Sequence, residues 1–397
     1  MDSHFSLVLK DGVAKIVSGA ELQSYEAWKR VFRDKIKDHR YYEIVERTLA
    51  DSFEHHYMLL EDALGQVRGI QPLFFVRQNL VEGIPGKIRS LVEAIRRKFP
   101  RFLTMRVLMV GCAAGPGELG ACRPEDGLWV AEALQAALVP YGRQKKASLI
   151  VLKDFPSTYR STLQNFTANG YARIPSMPMT RLSLHYRTFD DYMAALGYMT
   201  RKGLRRKFRK AERIAKIEMT MVRDVAPYVD EIYPLYLQVH ERSPLKFETL
   251  TRDYFLEISR QMPERARFFI WRQQGPGSQG GTGGGRIIAF ALCFVHDNIL
   301  YDECIGLDYS VALDLHLYFY TLRDVIRWAI GEGVSCYYSG PLNYDPKLHL
   351  GHELAPLDLY VIHTQPILNL IFRPVLKYLE PTRHDPVLKR FPNANEV

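Results

Sequence analysis

The predicted order of secondary-structure elements is the most constraining feature of this sequence, because the two halves of the chain repeat it. In the first half, two strands around a turn at Gly65–Gln66 precede an apolar strand at Leu103–Val110. A helix at Asp126–Tyr141 and a buried-type strand at Ala147–Lys153 follow. This half therefore contains an antiparallel hairpin, a further strand, a long helix and a last strand.

The second half of the chain shows the same succession of elements. Its predicted hairpin strands, third strand, long helix and last strand are Arg267–Gln273, Arg286–His296, Asn298–Gly306, Val311–Ile330 and Val334–Tyr338. A chain of 397 residues is long enough for two domains. We therefore expect an α/β protein (α+β mixed sheets) made of two tandem domains, residues 1–184 and 185–397, which join near Leu182–Arg187.

Composition excludes several classes of protein. Hydrophobic residues make up 47% of the chain and charged residues 24%, which is ordinary for a globular protein and unlike a disordered one. The five cysteines form no C-x-x-C pair, which favours a reducing compartment and argues against zinc. The N-terminal residues lack a signal-peptide pattern, and no apolar run is long enough to cross a bilayer. These observations predict a cytoplasmic protein.

Positive charge is concentrated in one predicted helix. Between Arg201 and Lys216 there are nine lysines and arginines and one acid, Glu212, so this segment carries nearly the whole formal net charge of +9. A short amphipathic helix around Tyr192 and Met193 precedes it. Three interpretations are open: a solvated helix face, a site for CoA phosphates or a tRNA acceptor stem, and contact with an anionic membrane. We expect no DNA partner.

The C-terminal part of the chain keeps the membrane interpretation open. The stretch Pro366–Leu379 is apolar and carries Arg373 and Lys377 beside its apolar residues. This composition is typical of a segment that lies at an anionic membrane surface, so peripheral membrane contact is one of our expectations.

Two motifs in the second half of the chain occur together. A predicted helix ends with RWAIGEG (327–333), and a short strand then leads to YDPKLHLG (344–351). Over residues 182–379 the order, spacing and flanking elements resemble the Fem-type and BioF-like (CelD-like) acyltransferase domains. The element order of both halves resembles tandem GNAT-like domains. This resemblance implies transfer of an acyl group onto an amine.

The resemblance also implies two candidate donor-binding regions. GNAT domains bind the CoA pyrophosphate on backbone N–H groups between a strand and the next helix, and residues 111–121 (GCAAGPGELGA) lie at such a junction. The candidate residues are Gly111, Gly115 and Gly117 in this loop and Arg205, Arg206 and Arg209 in the basic helix. The family signature R/Q-x-x-G-x-G/A is imperfect here, since Cys112 holds its first position and Pro116 lacks an N–H. A glycine-rich turn in a degenerate copy of the site is an equal alternative.

Acyl transfer to an amine needs a base for the nucleophile and an acid for the leaving group. The third strand of the second half carries Asp302 and Glu303, which face opposite sides of a regular strand. We expect Glu303 to be the base, unless it is paired with a basic neighbour or the strand register favours Asp302. The resemblance implies a tyrosine acid at the end of the next strand, where Tyr338 is the candidate and one of Tyr337 and Tyr338 faces the core.

The loop that begins at Tyr344 is expected to close over the site. Tyr344 is a candidate donor to the leaving group, and Lys347 can reach a phosphate or carboxylate, unless it only ties the loop to a carboxylate. His349 is a candidate proton carrier, with His352 as its alternative. These histidines and Glu353 lack a further metal ligand, so we expect no metal site.

Together with these residues, the resemblance implies an N-acyltransferase that moves an acyl group from acyl-CoA to an amine-bearing small molecule or peptide. Acyl-CoA is then a co-substrate, and no permanently bound cofactor is expected. Two alternatives remain open. One is an aminoacyl-tRNA-dependent transferase of the Fem type, with tRNA as partner, which the basic helix favours. The other is a non-catalytic binding module of GNAT shape, which the missing signature in the second half favours.

Overall fold

The computed structural model describes residues 5–79, 104–244, 246–274, 285–376 and 380–397. A helix that the sequence predicts at Gly86–Phe99 and a glycine-rich insertion at residues 275–284 lie outside the described residues. The chain forms two compact units. One comprises Met1–Ser176 with Pro356–Arg383, and the other comprises Met177–Ala355 with His384–Val397. Within the described ranges, no helix combines the length and the apolar character needed to span a bilayer.

The elements follow in chain order. The strands are β1 Ser6–Leu9, β2 Gly12–Val17, β3 Glu54–Asp62, β4 Val67–Asn79, β5 Thr104–Val110, β6 Leu149–Pro156, β7 Ala172–Ser183, β8 Ile217–Val222, β9 Ala266–Gln273, β10 Arg286–His296, β11 Ile299–Leu307, β12 Cys336–Ser339 and β13 Glu353–His363. The α-helices are α1 Gly19–Leu22, α2 Glu26–Arg30, α3 His39–Thr48, α4 Gly127–Gln144, α5 Gln164–Ala168, α6 Phe189–Ala195, α7 Tyr198–Ile214, α8 Val229–Arg242, α9 Arg252–Gln261, α10 Leu317–Gly331, α11 Tyr344–His349 and α12 Pro366–Leu376. Short 3₁₀ helices lie at Pro124–Asp126, Ser157–Tyr159, Pro381–His384, Leu388–Arg390 and Ala394–Glu396.

Each unit has a mixed sheet with the same local plan. In the first unit β3, β4 and β5 form an antiparallel meander, and β6 pairs parallel to β5. In the second unit β9, β10 and β11 form the meander, and β12 pairs parallel to β11. A long helix joins each parallel pair: α4 in the first unit and α10 in the second. The repeated element order predicted from the sequence is therefore confirmed: each unit contributes a meander, a long helix and a parallel strand to a mixed α/β sheet.

Each unit buries its own core against the long helix. In the first unit, Val130, Leu134 and Leu138 of α4 pack with apolar side chains of β3, β4, β5 and β6. In the second unit, Val325 and Ile326 of α10 pack with side chains of β9, β10, β11 and β12. The α4 residues are spaced i, i+4, and Val325 and Ile326 continue an i, i+3, i+4, i+7 series with Leu322 and Ala329 in α10. Each set lies on one face of its helix, which explains why the sequence pattern located both helices.

Several predicted elements differ from the structure. The sequence around Trp28 and Phe32 predicts a single helix at Ala20–Ile36. This prediction is wrong, because α1 and α2 are separate and Phe32 adopts a left-handed backbone with φ of +63°. The long helix of the second half begins only at Leu317, because His316 has a φ of +47°. The segment that starts at Tyr344, predicted as a loop, begins with the short helix α11 instead.

The division between the units also differs in detail from a single break after residue 184. The strand β7 passes from one unit to the other between Ser176 and Met177. The chain passes back within β13, so that α12 belongs to the first unit. A sequence-based boundary is one cut in the chain, whereas here the C-terminal residues are shared between both units.

Candidate active site

The candidate active site of the second unit lies where two parallel strands diverge. The strands β11 and β12 pair from Ile299 opposite Cys336 to Asp302 opposite Ser339. At that point β12 ends, whereas β11 continues to Leu307. The end of a parallel pair next to a helix N-terminus is a common place for ligands in α/β sheets, because the next helix starts there. Asp302 is thus the last residue of β11 that pairs with β12, and it lies at the point where the two strands diverge.

A β-bulge interrupts β11 at the same position. In the pairing with β10, Cys293 lies opposite Asp302 and Leu292 lies opposite Cys304, so Glu303 has no opposite residue on β10. Such a bulge places an extra residue in one strand and redirects its side chain. The oxygen Oε1 of Glu303 accepts a hydrogen bond from the hydroxyl of Tyr254 on α9 at 3.2 Å. Glu303 therefore lies on the side of β11 that faces α8 and α9.

Asp302 belongs to a separate polar cluster. Its Oδ2 accepts hydrogen bonds from the hydroxyl of Tyr337 at 3.0 Å and from the hydroxyl of Ser339 at 3.2 Å. Burial raises the pKa of Asp302, while the positive charge of Lys347 and the hydrogen bonds from Tyr337 and Ser339 act in the opposite direction. Burial also raises the pKa of Tyr337 well above its usual value, so Tyr337 keeps its proton and remains a donor to Asp302. The two adjacent carboxylates therefore have different surroundings.

The helix α11 brings a buried lysine to this cluster. Lys347 is 2% exposed, and its ammonium donates hydrogen bonds to the carbonyls of Gly340 and Leu342 in the turn after β12. Burial lowers the pKa of Lys347 to about 8, while the negative charge of Asp302 acts in the opposite direction. Lys347 thus fixes the turn and supplies a positive charge beside Asp302. Of the two roles predicted for Lys347, tying this segment in place is the one that the contacts describe, although through carbonyls rather than a carboxylate.

Tyr344 is a buried packing residue of the same helix. Its hydroxyl donates to the carbonyl of Pro178 at 2.7 Å, and its ring packs edge-on against Phe391 at 6.2 Å between centroids. It is 2% exposed. The prediction that Tyr344 donates to a leaving group requires an open loop, whereas α11 holds this hydroxyl on the backbone of β7.

The two histidines near α11 lie in different environments. His349 is exposed, and its Nδ1 lies 2.7 Å from the carbonyl oxygen of Asp345 in the same helix. His352 is buried, with its Nδ1 3.1 Å from the hydroxyl of Thr180 and its ring 5.5 Å from that of Tyr337. Burial lowers the pKa of His352 to about 3, so this ring is neutral near pH 7. His352, and not His349, therefore adjoins the Asp302 cluster. Among the described residues no group of His, Cys, Asp and Glu could hold a metal ion.

The two tyrosines of β12 face opposite sides of the strand, so only one of them can lie beside Asp302. Tyr337 is 1% exposed and contacts Asp302, whereas Tyr338 is half-buried on the other face of the strand. Burial raises the pKa of Tyr338, and the positive charge of Arg181 lowers it. The sequence had pointed to Tyr338, but the structure places Tyr337 beside the carboxylate. No local signal distinguishes the two, because both are tyrosines on one short strand.

The basic helix α7 lies beside the start of α10. Its residues Leu204, Phe208 and Ala211 are buried, while Arg205, Arg206 and Arg209 point to solvent. The ammonium of Lys207 lies 3.5 Å from the ring centroid of Phe319 in the first turn of α10. Within the described ranges, no carboxylate forms an ion pair with the three exposed arginines. The chain thus presents unneutralised positive charge at this surface.

His316, the residue immediately before α10, lies close to the positive charges of α7. Burial lowers the pKa of His316, and the positive charges of Lys210, Lys207 and Arg206 lower it further. The N-terminus of a 15-residue helix adds partial positive charge at the same place. The region between α7 and the start of α10 is therefore suited to an anionic group.

The glycine-rich loop of the first unit, residues 111–121, forms hydrogen bonds with other residues of the same unit. The N–H of Gly111 donates to the carbonyl of Pro72, and the N–H of Gly117 donates to the carbonyl of Asp154, both at 3.0 Å. Gly111 and Gly115 both have a φ of +119°, which favours glycine. The ammonium of Lys153 donates to the carbonyl of Gly115 at 3.0 Å. These contacts favour the alternative of a glycine-rich turn with a structural role, because two of its N–H groups already have partners.

Comparison with known proteins agrees with this architecture. The family model of the acetyltransferase (GNAT) domain matches residues 199–348. The chain is similar to a putative 8-amino-7-oxononanoate synthase 2 of Mycobacterium tuberculosis, with 23% identity over 333 residues, which is 81% of this chain and 42% of the relative. The chain therefore spans less than half the length of that curated relative. Among solved structures, FemX is similar with a TM-score of 0.52 and 13% identity, covering 89% of this chain and 98% of FemX.

Residues 199–348 thus match the acetyltransferase (GNAT) domain, as the resemblance implied for the second half of the chain. The matched family model covers α7, the α8–α9 segment, the strands β8 to β12 and most of α11, and so includes every residue of the Asp302 cluster except His352. The likeness to FemX shows the fold of the chain and nothing about its substrates.

Proposed function

We propose that this protein is an N-acyltransferase that moves an acyl group from acyl-CoA to the amine of a small molecule or peptide. The observation that carries the proposal is the position of α7 beside the start of α10, the helix that follows the diverging strand β11. Arg206, Lys207 and Lys210 all act on His316 at that helix start. Phosphate groups of a donor bind well at such a combination of a helix N-terminus and cations.

The two faces of β11 suit the two sides of the reaction. Glu303 lies on the face toward α8 and α9, where it accepts a hydrogen bond from the hydroxyl of Tyr254. In this proposal Glu303 accepts a proton from the acceptor ammonium, and the free amine then attacks the thioester carbonyl carbon. A C–N bond forms and the C–S bond breaks. The attacking nitrogen releases a second proton as the amide forms, and the departing thiolate of CoA takes up one proton to become the free thiol.

The Asp302 cluster has a positioning role in this proposal. Asp302 already accepts hydrogen bonds from Tyr337 and Ser339, and the positive charge of Lys347 stabilises its negative charge. Such a network holds the ends of β11 and β12 in fixed positions where the strands diverge. The cluster therefore keeps Glu303 in place without itself exchanging a proton with substrate.

An aminoacyl-tRNA donor is the second candidate, and a specific observation favours it. The exposed cations of α7 extend along the helix from Lys202 to Arg213, farther than the phosphates at one end of a CoA molecule require. Single-stranded and acceptor-stem RNA bind to such extended positive surfaces through their backbone phosphates. In that case the leaving group is the ribose hydroxyl of the tRNA rather than a thiol.

The proposal is tested by turnover with a panel of acyl-CoA donors and primary amines, followed by release of free CoA thiol. Glu303→Gln is expected to reduce turnover by roughly 10²–10⁴-fold, with little change in donor affinity. The matched control is Glu241→Gln, since Glu241 is an exposed carboxylate of α8. Equal turnover by the Glu303→Gln variant and the parent would remove Glu303 from the mechanism.

The donor class needs a second measurement. Labelled aminoacyl-tRNA is offered with and without ribonuclease in place of acyl-CoA, and transfer of label to the amine is followed. Transfer that ribonuclease abolishes, together with no thiol release from any acyl-CoA, favours the Fem-type donor. Binding of either donor without transfer to any amine favours the non-catalytic module.

A further inference from the structure

The helix α12 of the first unit exposes an unusual amount of apolar surface. Ile367 is 79% exposed, Leu368 48%, Leu370 77% and Ile371 63%. Residues 367, 370 and 371 have the i, i+3, i+4 spacing that places them on one face of a helix. Scattered single exposed apolar residues are normal, whereas four on one short helix mark an interaction surface.

The opposite face of α12 fixes the helix to the first unit. The side chain of Asn369 accepts a hydrogen bond from the N–H of His363 and donates one to the carbonyl of Gly170. The ring of Phe372 lies 6.4 Å from that of His363, and Leu376 is buried. The exposed face is therefore held outward by specific contacts on the other side, so it is a stable feature of the unit.

Positive charge flanks this apolar face. The helix contains no acidic residue, and Arg373 is exposed on its side. The turn after α4 lies against the start of α12, because Arg143 donates to the carbonyl of Thr364 at 2.9 Å and Thr364 donates to the carbonyl of Ala147 at 2.8 Å. Arg143, in the last turn of α4, and Lys146, in the turn that follows, are both exposed. The apolar face thus has cations beside its N-terminal end and beside its third turn.

We propose that α12 is a peripheral membrane-binding helix that inserts its apolar face into the surface of an anionic bilayer. An apolar stripe bordered by basic residues is complementary to acyl chains bordered by anionic headgroups. A helix of 11 residues has a length of about 16 Å, roughly half of the hydrocarbon thickness, so it lies in the interface and does not cross it. This inference is independent of the proposed transferase reaction.

The proposal is tested with the full-length protein by co-sedimentation with phosphatidylcholine vesicles that contain or lack phosphatidylglycerol. We expect binding to the vesicles that contain phosphatidylglycerol and a decrease of this binding as salt rises. Leu370→Asp combined with Ile371→Asp is expected to weaken vesicle binding by at least about 10-fold, because the apolar face then carries two charges. Ile367→Asp, at the first turn where an acid suits the helix N-terminus, provides a second variant in case the double one unfolds.

Leu64→Asp is the matched control, because Leu64 is 85% exposed in a turn of the same unit and lies outside α12. This variant is expected to bind vesicles like the parent. Equal binding of the parent to both kinds of vesicle, or unchanged binding by the Leu370 and Ile371 variant, overturns the proposal. A parent that ignores vesicles but forms a dimer that the same variant dissociates also overturns it, and assigns the face to a second copy of the chain.

Discussion

The buried lysine of α11 makes the sharpest prediction about stability. We consider Lys347→Met, which keeps the length of the side chain and removes its ammonium. The wild-type ammonium donates hydrogen bonds to the carbonyls of Gly340 and Leu342 and lies beside Asp302. The substitution therefore removes two hydrogen bonds and one buried charge from the point where β11 and β12 diverge.

The expected change in the free energy of unfolding for Lys347→Met follows from two opposing effects. Hydrogen bonds from a charged donor contribute about 1.5–3 kcal/mol each, so their loss costs about 3–6 kcal/mol. Burial lowers the pKa of Lys347 from 10.5 to about 8, so keeping it protonated in the folded state costs about 3 kcal/mol, which the substitution recovers. We therefore expect the variant to be less stable than the wild type by roughly 0–3 kcal/mol at pH 7.

The sign of the pH dependence follows from the lowered pKa. Between about pH 8 and pH 10.5 the unfolded chain keeps a proton on Lys347 that the folded protein has lost, so the folding stability of the wild type rises with pH in this range. A neutral amine still has two N–H groups for the two carbonyls. The variant lacks this titration, so its deficit in free energy of unfolding should grow by about 3 kcal/mol from pH 7 to pH 10.5.

The assay is denaturant unfolding of wild type and variant at several pH values, with Lys202→Met as the matched control for loss of an exposed lysine. The difference between wild type and variant isolates Lys347 from other groups that titrate in the same range. A difference that stays constant with pH, or that shrinks as pH rises, would refute the argument that burial lowers the pKa of this lysine. Steady-state kinetics on the same samples show whether the positioning of Glu303 depends on Lys347.

Two further predictions concern the donor-binding regions. Replacing Arg205, Arg206 and Arg209 together with Gln should weaken donor binding by at least about 10-fold at low salt, and titration calorimetry should show this loss shrinking as salt rises; unchanged affinity would assign α7 to a solvated face. Gly117→Ala should lower the melting temperature and cost about 1–3 kcal/mol while leaving donor affinity unchanged, because a Cβ there meets backbone and an aromatic ring of β6. Gly127→Ala is its control, since the nearest atoms to a Cβ there are 3.8 Å away. Weaker donor binding by Gly117→Ala at unchanged stability would restore the loop as a phosphate site.

The sequence by itself determined those features that depend only on residues close together in the chain. The spacing of Leu204, Phe208 and Ala211 buries one face of α7, so Arg205, Arg206 and Arg209 on the other face are exposed to solvent. The strands around Gly65 pair as predicted, because a turn residue between two alternating segments specifies a hairpin. These features, taken in order along the chain, were enough to indicate two GNAT-like halves.

The tertiary structure alone decided which side chains meet. Glu303 and Tyr254 are 49 residues apart, and Tyr344 and Pro178 are 166 residues apart, so no short-range pattern links either pair. The bulge at Glu303 exists only relative to β10, and it separates the partners of two adjacent carboxylates. A strand's register and a side chain's burial depend on what packs against them. For this reason the sequence could only propose Glu303 as a candidate base, and the fold alone placed Tyr337, His352 and Lys347 around Asp302.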